Sequence, residues 1–242
     1  MNTQFLPKYI RITALWVVTM WLYATPLYPG TAPFAAGERL AYSITWPSGL
    51  SLGEAVFRAD QSGDGWSFEA RIKASLPAID IIDEYTASAD AGLCSLVFEK
   101  SAEHGDRKIK EKITFDQEAH EAHRQNLPAL PGAGESTFDI PPCARDGLTF
   151  LYFLRHELAA GRVPPPDDIN FGAQYMTSMT YAESLEVEVG GKRQKADRII
   201  IDLTGPKSQR TFEIFFAHDE ARTPVLMRIP FELGTFSLRL KR

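Results

Sequence analysis

The side chains able to do chemistry in this sequence are few and scattered. The five histidines are His104, His120, His123, His156 and His218. His120 and His123, in HEAH, would share a face only on a helix, and they lack the i, i+4 spacing by which HExxH hydrolases hold zinc. The sequence therefore predicts solvated histidines and no metal site. Asp80, Asp83 and Glu84 form the densest acidic group. Two of these carboxylates would suit general acid–base work if the segment lined a cleft, but charge that keeps an edge strand soluble accounts for the same residues. The sequence predicts no nucleophile elbow, Walker loop, SxxK or GxGxxG site, and no cofactor. These absences leave catalysis open.

Three further groups are chosen for their surroundings. Cys94 and Cys143 are the two cysteines and enclose about 50 residues. In an exported chain they are read as a disulfide, since neither has a neighbour at zinc-ligand spacing. Arg155 falls on the principal face of a very apolar stretch, where a buried guanidinium is costly unless paired; Asp83 and Asp219 are the partners expected. Trp46, Trp66 and Phe68, with Tyr152 and Phe153, could line a cavity for a hydrophobic ligand, although aromatics at strand spacing are more often plain core.

The helix that must carry Arg155 runs from about Gly147 to Ala160. Pro141 and Pro142 stop the extended segment before it, and Asp146 is placed to cap it. Leu148, Leu151, Tyr152, Arg155 and Leu158 recur at 3.6-residue spacing, and Phe150, Phe153 and Leu154 widen the apolar surface to most of the circumference. Such a helix is buried. Around it the chain alternates apolar and polar residues: in ERLAYSITW, Leu40, Tyr42, Ile44 and Trp46 face one way and Arg39, Ser43 and Thr45 the other. Eleven or twelve strands are expected by this reading, with Gly190 and Gly191 making a two-residue hairpin turn. The segment LPAIDIIDEYTASAD reads as an edge or the lip of an opening, and EAHEAHRQN has only weak pattern. So many short-turned strands and one apolar helix predict a mainly β fold, a strongly curved antiparallel sheet (half-barrel or barrel-like meander) with one buried central helix near residues 147–160.

The chain has 242 residues, 44% hydrophobic and 24% charged, which suits one domain, 37–242, after a leader and spacer, 1–36. Lys8 and Arg11 precede an apolar run of 13 residues, Ile12 to Ala24. That is long enough for a signal h-region and short of the ~20 residues a spanning helix needs. Leu22 makes the cleavage site imperfect, so an uncleaved N-terminal anchor stays open beside a cleaved signal peptide; with no cysteine directly following, a lipid-modified N-terminus is not expected. Loss of the first 24 residues removes two basic side chains of 26 and leaves 31 acidic ones, a balance of −7. That sign argues against nucleic acid and anionic membrane surfaces as partners.

Taken together, GERLAYSITW, SLPAIDIIDEYTASAD, EKITFD, IPPCARDGLTFLYFLR and FFAHDEARTPVLMRIPFELGTFSLRL, in that order, resemble the bacterial exported family called domain of unknown function 3108. The resemblance covers nearly all of the chain after Gly37 and implies no known activity and no catalytic residues. A weaker similarity, in the closing Asp, Pro and Gly-containing hairpin, is to periplasmic half-barrel lipoprotein carriers. The expected protein is periplasmic or envelope-associated and non-catalytic, binding a lipid, another hydrophobic molecule or an envelope protein. An envelope hydrolase with an acidic cleft and an assembly factor without ligand are the alternatives.

Overall fold

The computed structural model describes residues 32–76, 79–130, 133–206, 208–231 and 234–241. The apolar run 12–24 and its cleavage site lie outside the described residues. Fifteen strands and one helix follow in the order β1 (Glu38–Thr45), β2 (Ser51–Ser62), β3 (Gly65–Leu76), β4 (Ile79–Ala89), β5 (Ser95–His104), β6 (Arg107–Asp116), β7 (Glu121–Leu130), β8 (Ala133–Asp139), β9 (Arg145–Asp146), α1 (Gly147–Ala159), β10 (Asp167–Asn170), β11 (Gln174–Val189), β12 (Lys192–Thr204), β13 (Gln209–Ala217), β14 (Pro224–Phe231) and β15 (Gly234–Leu240). The described strands outnumber the eleven or twelve expected. β7 grows from the weakly patterned EAHEAHRQN because its backbone pairs with β6 and β8, which requires no apolar alternation. β9 is two residues long and β10 four, too short to show a period.

All fifteen strands join one sheet in the order β8-β7-β6-β5-β4-β3-β2-β1-β15-β14-β13-β12-β11-β10-β9. Every pairing is antiparallel except β9 with β10, because both of those run in the same direction on either side of α1. The sheet curls until its β9 end meets β5. There Ser95 N–H donates to Ala144 O at 3.0 Å, and the Gln117 amide bonds Ser95 O at 2.6 Å and both backbone groups of Ala144 at 3.0 Å. A mainly β chain with one helix inside a curved open sheet is what the alternation predicts.

The inner face carries small residues where α1 packs on β3 and β4: Ala70, Ala87 and Ala89 are buried beside Phe68 and Phe98. Alanine lets the helix approach, and the larger rings fill the space beside it. On the far side, Leu154 and Leu158 pack with Ile199, Ile201 and Phe216 of β12 and β13. The turn Gly190–Gly191 has φ of 56° and 74°, the left-handed values a two-residue hairpin turn needs. The stretch read as spacer contributes to the core: Phe34 is 3% exposed and meets Trp66, Phe68 and Tyr152 with ring centres 4.7, 5.9 and 4.9 Å away.

Candidate functional site

The start of α1 is built from buried polar groups that satisfy one another. Asp146 is fully buried, and its Oδ1 caps the helix by accepting from Leu148 N–H at 2.8 Å and Thr149 N–H at 3.0 Å. Oδ2 accepts from the hydroxyls of Ser95 at 2.6 Å and Thr149 at 2.7 Å. Burial pushes its pKa up, against the pull of those four hydrogen bonds. Cys94 and Cys143 are disulfide-bonded beside it, with Cα atoms 4.6 Å apart.

Arg155 is 0% exposed and paired, but neither with Asp83 nor with Asp219. Both nitrogens of its fork meet Glu38, at 2.6 and 2.7 Å, and Nε donates to Ala221 O at 3.0 Å. The curl of the sheet brings the first residue of β1 over the helix, a juxtaposition 117 residues apart in sequence. Asp83 instead receives His104 Nε2 at 2.8 Å, and Asp219 accepts from Thr223 N–H at 2.8 Å in a turn.

The aromatic residues expected around a cavity pack on one another instead. Phe68 stacks on Tyr152 at 4.0 Å and Trp66 lies parallel to Phe68 at 6.3 Å. Trp46 meets Phe236 at 5.0 Å, edge-on, and Phe153 lies 3.6 Å beneath the Arg145 guanidinium. A cleft of about 440 Å³ opens on the face opposite the helix, lined by Pro47, Pro230, three hydroxyls and the Glu213–Arg228 pair. A smaller one of about 150 Å³ lies among Glu54, Arg58, Arg71 and Lys73. Neither is lined by the five aromatics.

Candidate acid–base groups separate as well. Asp83 points inward, whereas Asp80 and Glu84 lie on the outer face of the same strand, where Asp80 takes a bond from Ser75 at 2.7 Å. Two serine arrangements stand outside the candidates above, and the first, a GxSxG, is written in the sequence itself. Gly49–Gly53 spells GLSLG, but it forms the β1–β2 turn and Ser51 opens a strand opposite Thr45, so the strand–turn–helix elbow is missing. Ser184, Asp197 and His218 cluster across β11, β12 and the end of β13. Asp197 Oδ1 accepts from the Ser184 hydroxyl and lies 2.7 Å from His218 Nε2, and Nε2 is 3.2 Å from Ser184 Oγ. A catalytic triad needs the carboxylate on one ring nitrogen and the serine on the other. Here both claim the same nitrogen, so the serine is not activated. Asp197 also receives Arg222 at 2.9 Å; burial raises its pKa, but the bonds from Ser184 and His218 and the Arg222 charge bring the balance below the usual range.

The remaining feature is the lip formed by β3 and β4. Leu76 pairs with Ile79 and Ala74 with Ile81, and all four face the concave side with Ile72. Ile79 is 36% exposed and rests on the β5–β6 turn, where a Cβ at Gly105 would lie 3.5 Å from its Cγ1. Ile82, on the outer face between Lys73 and Glu103, is 40% exposed, and Leu50 on the neighbouring β1–β2 turn is 63% exposed. Turn ends are ordinarily polar, whereas this hairpin end carries an exposed apolar group on each face. Below the lip the inner face turns polar, with Asp83 and His104, then Tyr85, Lys100 and Glu111 in register. Burial, with the charges of Asp83 and Glu111, pushes the Tyr85 hydroxyl well up, so it stays protonated. Glu111 is 1% exposed; its Oε2 receives two bonds from Arg124 at 3.0 and 2.6 Å.

Comparison with solved structures finds a β-barrel-like protein of domain of unknown function DUF1849 from Brucella abortus, 12% identical with a TM-score of 0.59, covering 86% of this chain and 96% of that one. That similarity shows the fold. A candidate exported protein with a YmcC-like fold from Bacteroides fragilis is 11% identical with a TM-score of 0.34, over 87% of this chain and 98% of that one. No curated protein matches. The sequence profile of the protein family of unknown function DUF3108 matches residues 41–241, and the chain belongs to that family.

Proposed function

We propose that the chain is an exported envelope protein, with residues 37–242 as one domain, that binds a hydrophobic molecule at the turn end of its concave face. The observation that carries this reading is the β3–β4 lip, where Ile79, Ile81 and Ile82 stand on both faces of a hairpin end that folding alone would leave polar. The other half of the concave face is filled by α1 and its stacked rings, so the ligand sits at the mouth and not beside the helix. Export is supported by the h-region and by the disulfide, since such bonds persist in oxidising compartments. The separated acids and the doubly claimed histidine nitrogen favour binding over hydrolysis.

The test is native purification from the periplasm, solvent extraction and mass spectrometry of the extract, for wild type and for Ile79→Ser/Ile82→Ser. An apolar species present with wild type and lost with the double variant is expected. An empty wild type, or equal recovery from both, overturns the reading. Ile82 and Leu50 extend the apolar area outside the concave side, which favours an envelope protein as second reading. Photocrosslinking from position 82 in cells separates the two, because a protein adduct requires that second occupant.

A further inference from the structure

The disulfide is chemically lopsided. On one side Cys143, at a left-handed φ of 56°, receives a hydrogen bond on Sγ from Arg145 Nη2 at 3.0 Å. Arg145 is held there from every direction: Nε donates to Leu93 O at 2.9 Å, Nη1 to Asp167 at 2.9 Å, and its plane lies 3.6 Å over the Phe153 ring. It is 8% exposed, so water screens its charge little, and the Nη2 edge that Asp167 does not take faces the Cys143 sulfur. On the other side, Cys94 follows Asp90, whose Oδ1 accepts from Gly92 N–H at 2.9 Å and Cys94 N–H at 2.8 Å. A Cβ added at Gly92 would lie 3.6 Å from Cys94 Sγ and 3.4 Å from the Asp90 carboxylate. Gly92 thus leaves that side of the Cys94 sulfur without a covering side chain, with a carboxylate nearby. The charged groups around the bond are Arg145, Asp167 and Asp90, with Glu157 further along the helix acting on Arg145. Both cysteines are half-buried.

Thiol–disulfide exchange is governed by which sulfur is attacked and which leaves. The sulfur whose thiolate is better stabilised leaves, and an adjacent cation stabilises a thiolate whereas an adjacent carboxylate opposes it. We infer that Cys94 is a built site of thiol exchange, attacked by the thiolate of a small thiol or of an oxidoreductase, with Cys143 departing into the Arg145 pocket. In this step a bond forms between the incoming sulfur and Cys94 Sγ. The Cys94–Cys143 bond breaks, and its electron pair leaves on Cys143 Sγ as thiolate. No other redox partner is consumed. The mixed disulfide stays on the strand side, and the freed thiolate stays with the start of the helix.

The experiment uses the disulfide-intact protein with reduced glutathione in one arm and, in the other, a thioredoxin-fold oxidoreductase whose second active-site cysteine is replaced by serine. Early time points are acid-quenched, free thiols alkylated, and peptides mapped by mass spectrometry. The adduct is expected on Cys94 and the alkyl group on Cys143, in an excess of about threefold or more, because the sulfur that leaves as the better stabilised thiolate departs faster. The same selectivity in both arms supports the inference for both thiol sources. Selectivity in the glutathione arm alone restricts it to small thiols. Arg145→Gln should bring the two sites toward parity, and Arg145→Lys, which keeps the charge, should retain part of the excess. An adduct mainly on Cys143, or equal labelling in wild type, overturns the inference even if a variant folds poorly.

Discussion

The two halves of the concave face solve opposite problems. Around the start of α1 the chain buries charge and satisfies it: Asp146, Arg145 and Arg155 are each held by named partners, and the disulfide ties the strand side to the helix side. At the lip the chain does the reverse, leaving apolar side chains at Ile79, Ile82 and Leu50 in contact with water. Buried polar networks fix one arrangement because a displaced member leaves its partner unsatisfied. Exposed apolar groups cost little stability and are available to a second molecule. The difference teaches that the helix half is a frame held by satisfied polar groups while the lip leaves apolar side chains exposed, and it makes the two halves respond unequally to perturbation.

The largest effect is expected from reduction. Cys94 and Cys143 are 49 residues apart, and closing a loop of that size stabilises by about 4 kcal/mol on the chain-entropy estimate. Urea unfolding with and without reductant should show that difference in the midpoint. A shift below about 1 kcal/mol would mean that the polar network alone holds the helix half.

Next comes Arg155→Met, expected to cost about 3 kcal/mol because it leaves Glu38 beside an apolar helix without its partner. Glu38→Gln combined with Arg155→Met should recover part of that loss, since the stranded charge is then gone. Additive costs in the double variant would show that Glu38 is not the group that matters.

The arginine also shows where sequence reading stops. That it must be paired follows from an otherwise apolar helix face, but which carboxylate pairs with it depends on how far the sheet curls. Curvature has no local signature, so nothing in the sequence favours Glu38 in β1 over Asp83 or Asp219. The cap at Asp146 and the hairpin at Gly190–Gly191 were legible because each is a short-range requirement met within a few residues. β7 was not, because its inner positions Ala122, Arg124 and Asn126 carry no apolar period. Aromatic residues at strand and helix spacing read alike whether they line a cavity or fill a core, and only depth distinguishes a ring that lines a space from one stacked on its neighbour, as Phe68 is on Tyr152. The lip is read from its acids and isoleucines together, and the structure divides each kind between the two faces, with Ile79, Ile81 and Asp83 inward and Asp80, Ile82 and Glu84 outward.

Acid titration distinguishes the fully buried Asp146 from the partly exposed, cation-paired Asp197 by sign. Asp146 has a folded pKa raised by burial, so its contribution is full below the ordinary carboxylate value and lost as pH rises through the folded value. The stability of wild type relative to Asp146→Asn should therefore fall as pH rises from the ordinary range upward. Asp197 runs the other way. Its folded pKa is depressed by Ser184, His218 and Arg222 in spite of burial, so its contribution is present above the ordinary value and lost as pH falls through the folded one. Wild type relative to Asp197→Asn should gain with rising pH. Urea midpoints at pH 4 and pH 7 for the four comparisons suffice, and slopes of equal sign would remove the distinction between the two environments.

The smallest stability effect is expected at the lip, and it is the one that tests the contrast most directly. Ile82 is 40% exposed and lies between Lys73 and Glu103 on the outer face, so Ile82→Ser removes little area that folding had buried. Its cost should stay within about 0.5 kcal/mol, as for other surface substitutions. Ile79 is 36% exposed but leans on Gly105, so Ile79→Ser should cost somewhat more, about 1 kcal/mol. A loss of about 3 kcal/mol for either residue would place it with the buried network and make the lip part of the frame. Near-neutral stability together with loss of the co-purified apolar species would leave binding as the only property those side chains support, because selection for folding alone has no use for isoleucine on both faces of a hairpin end.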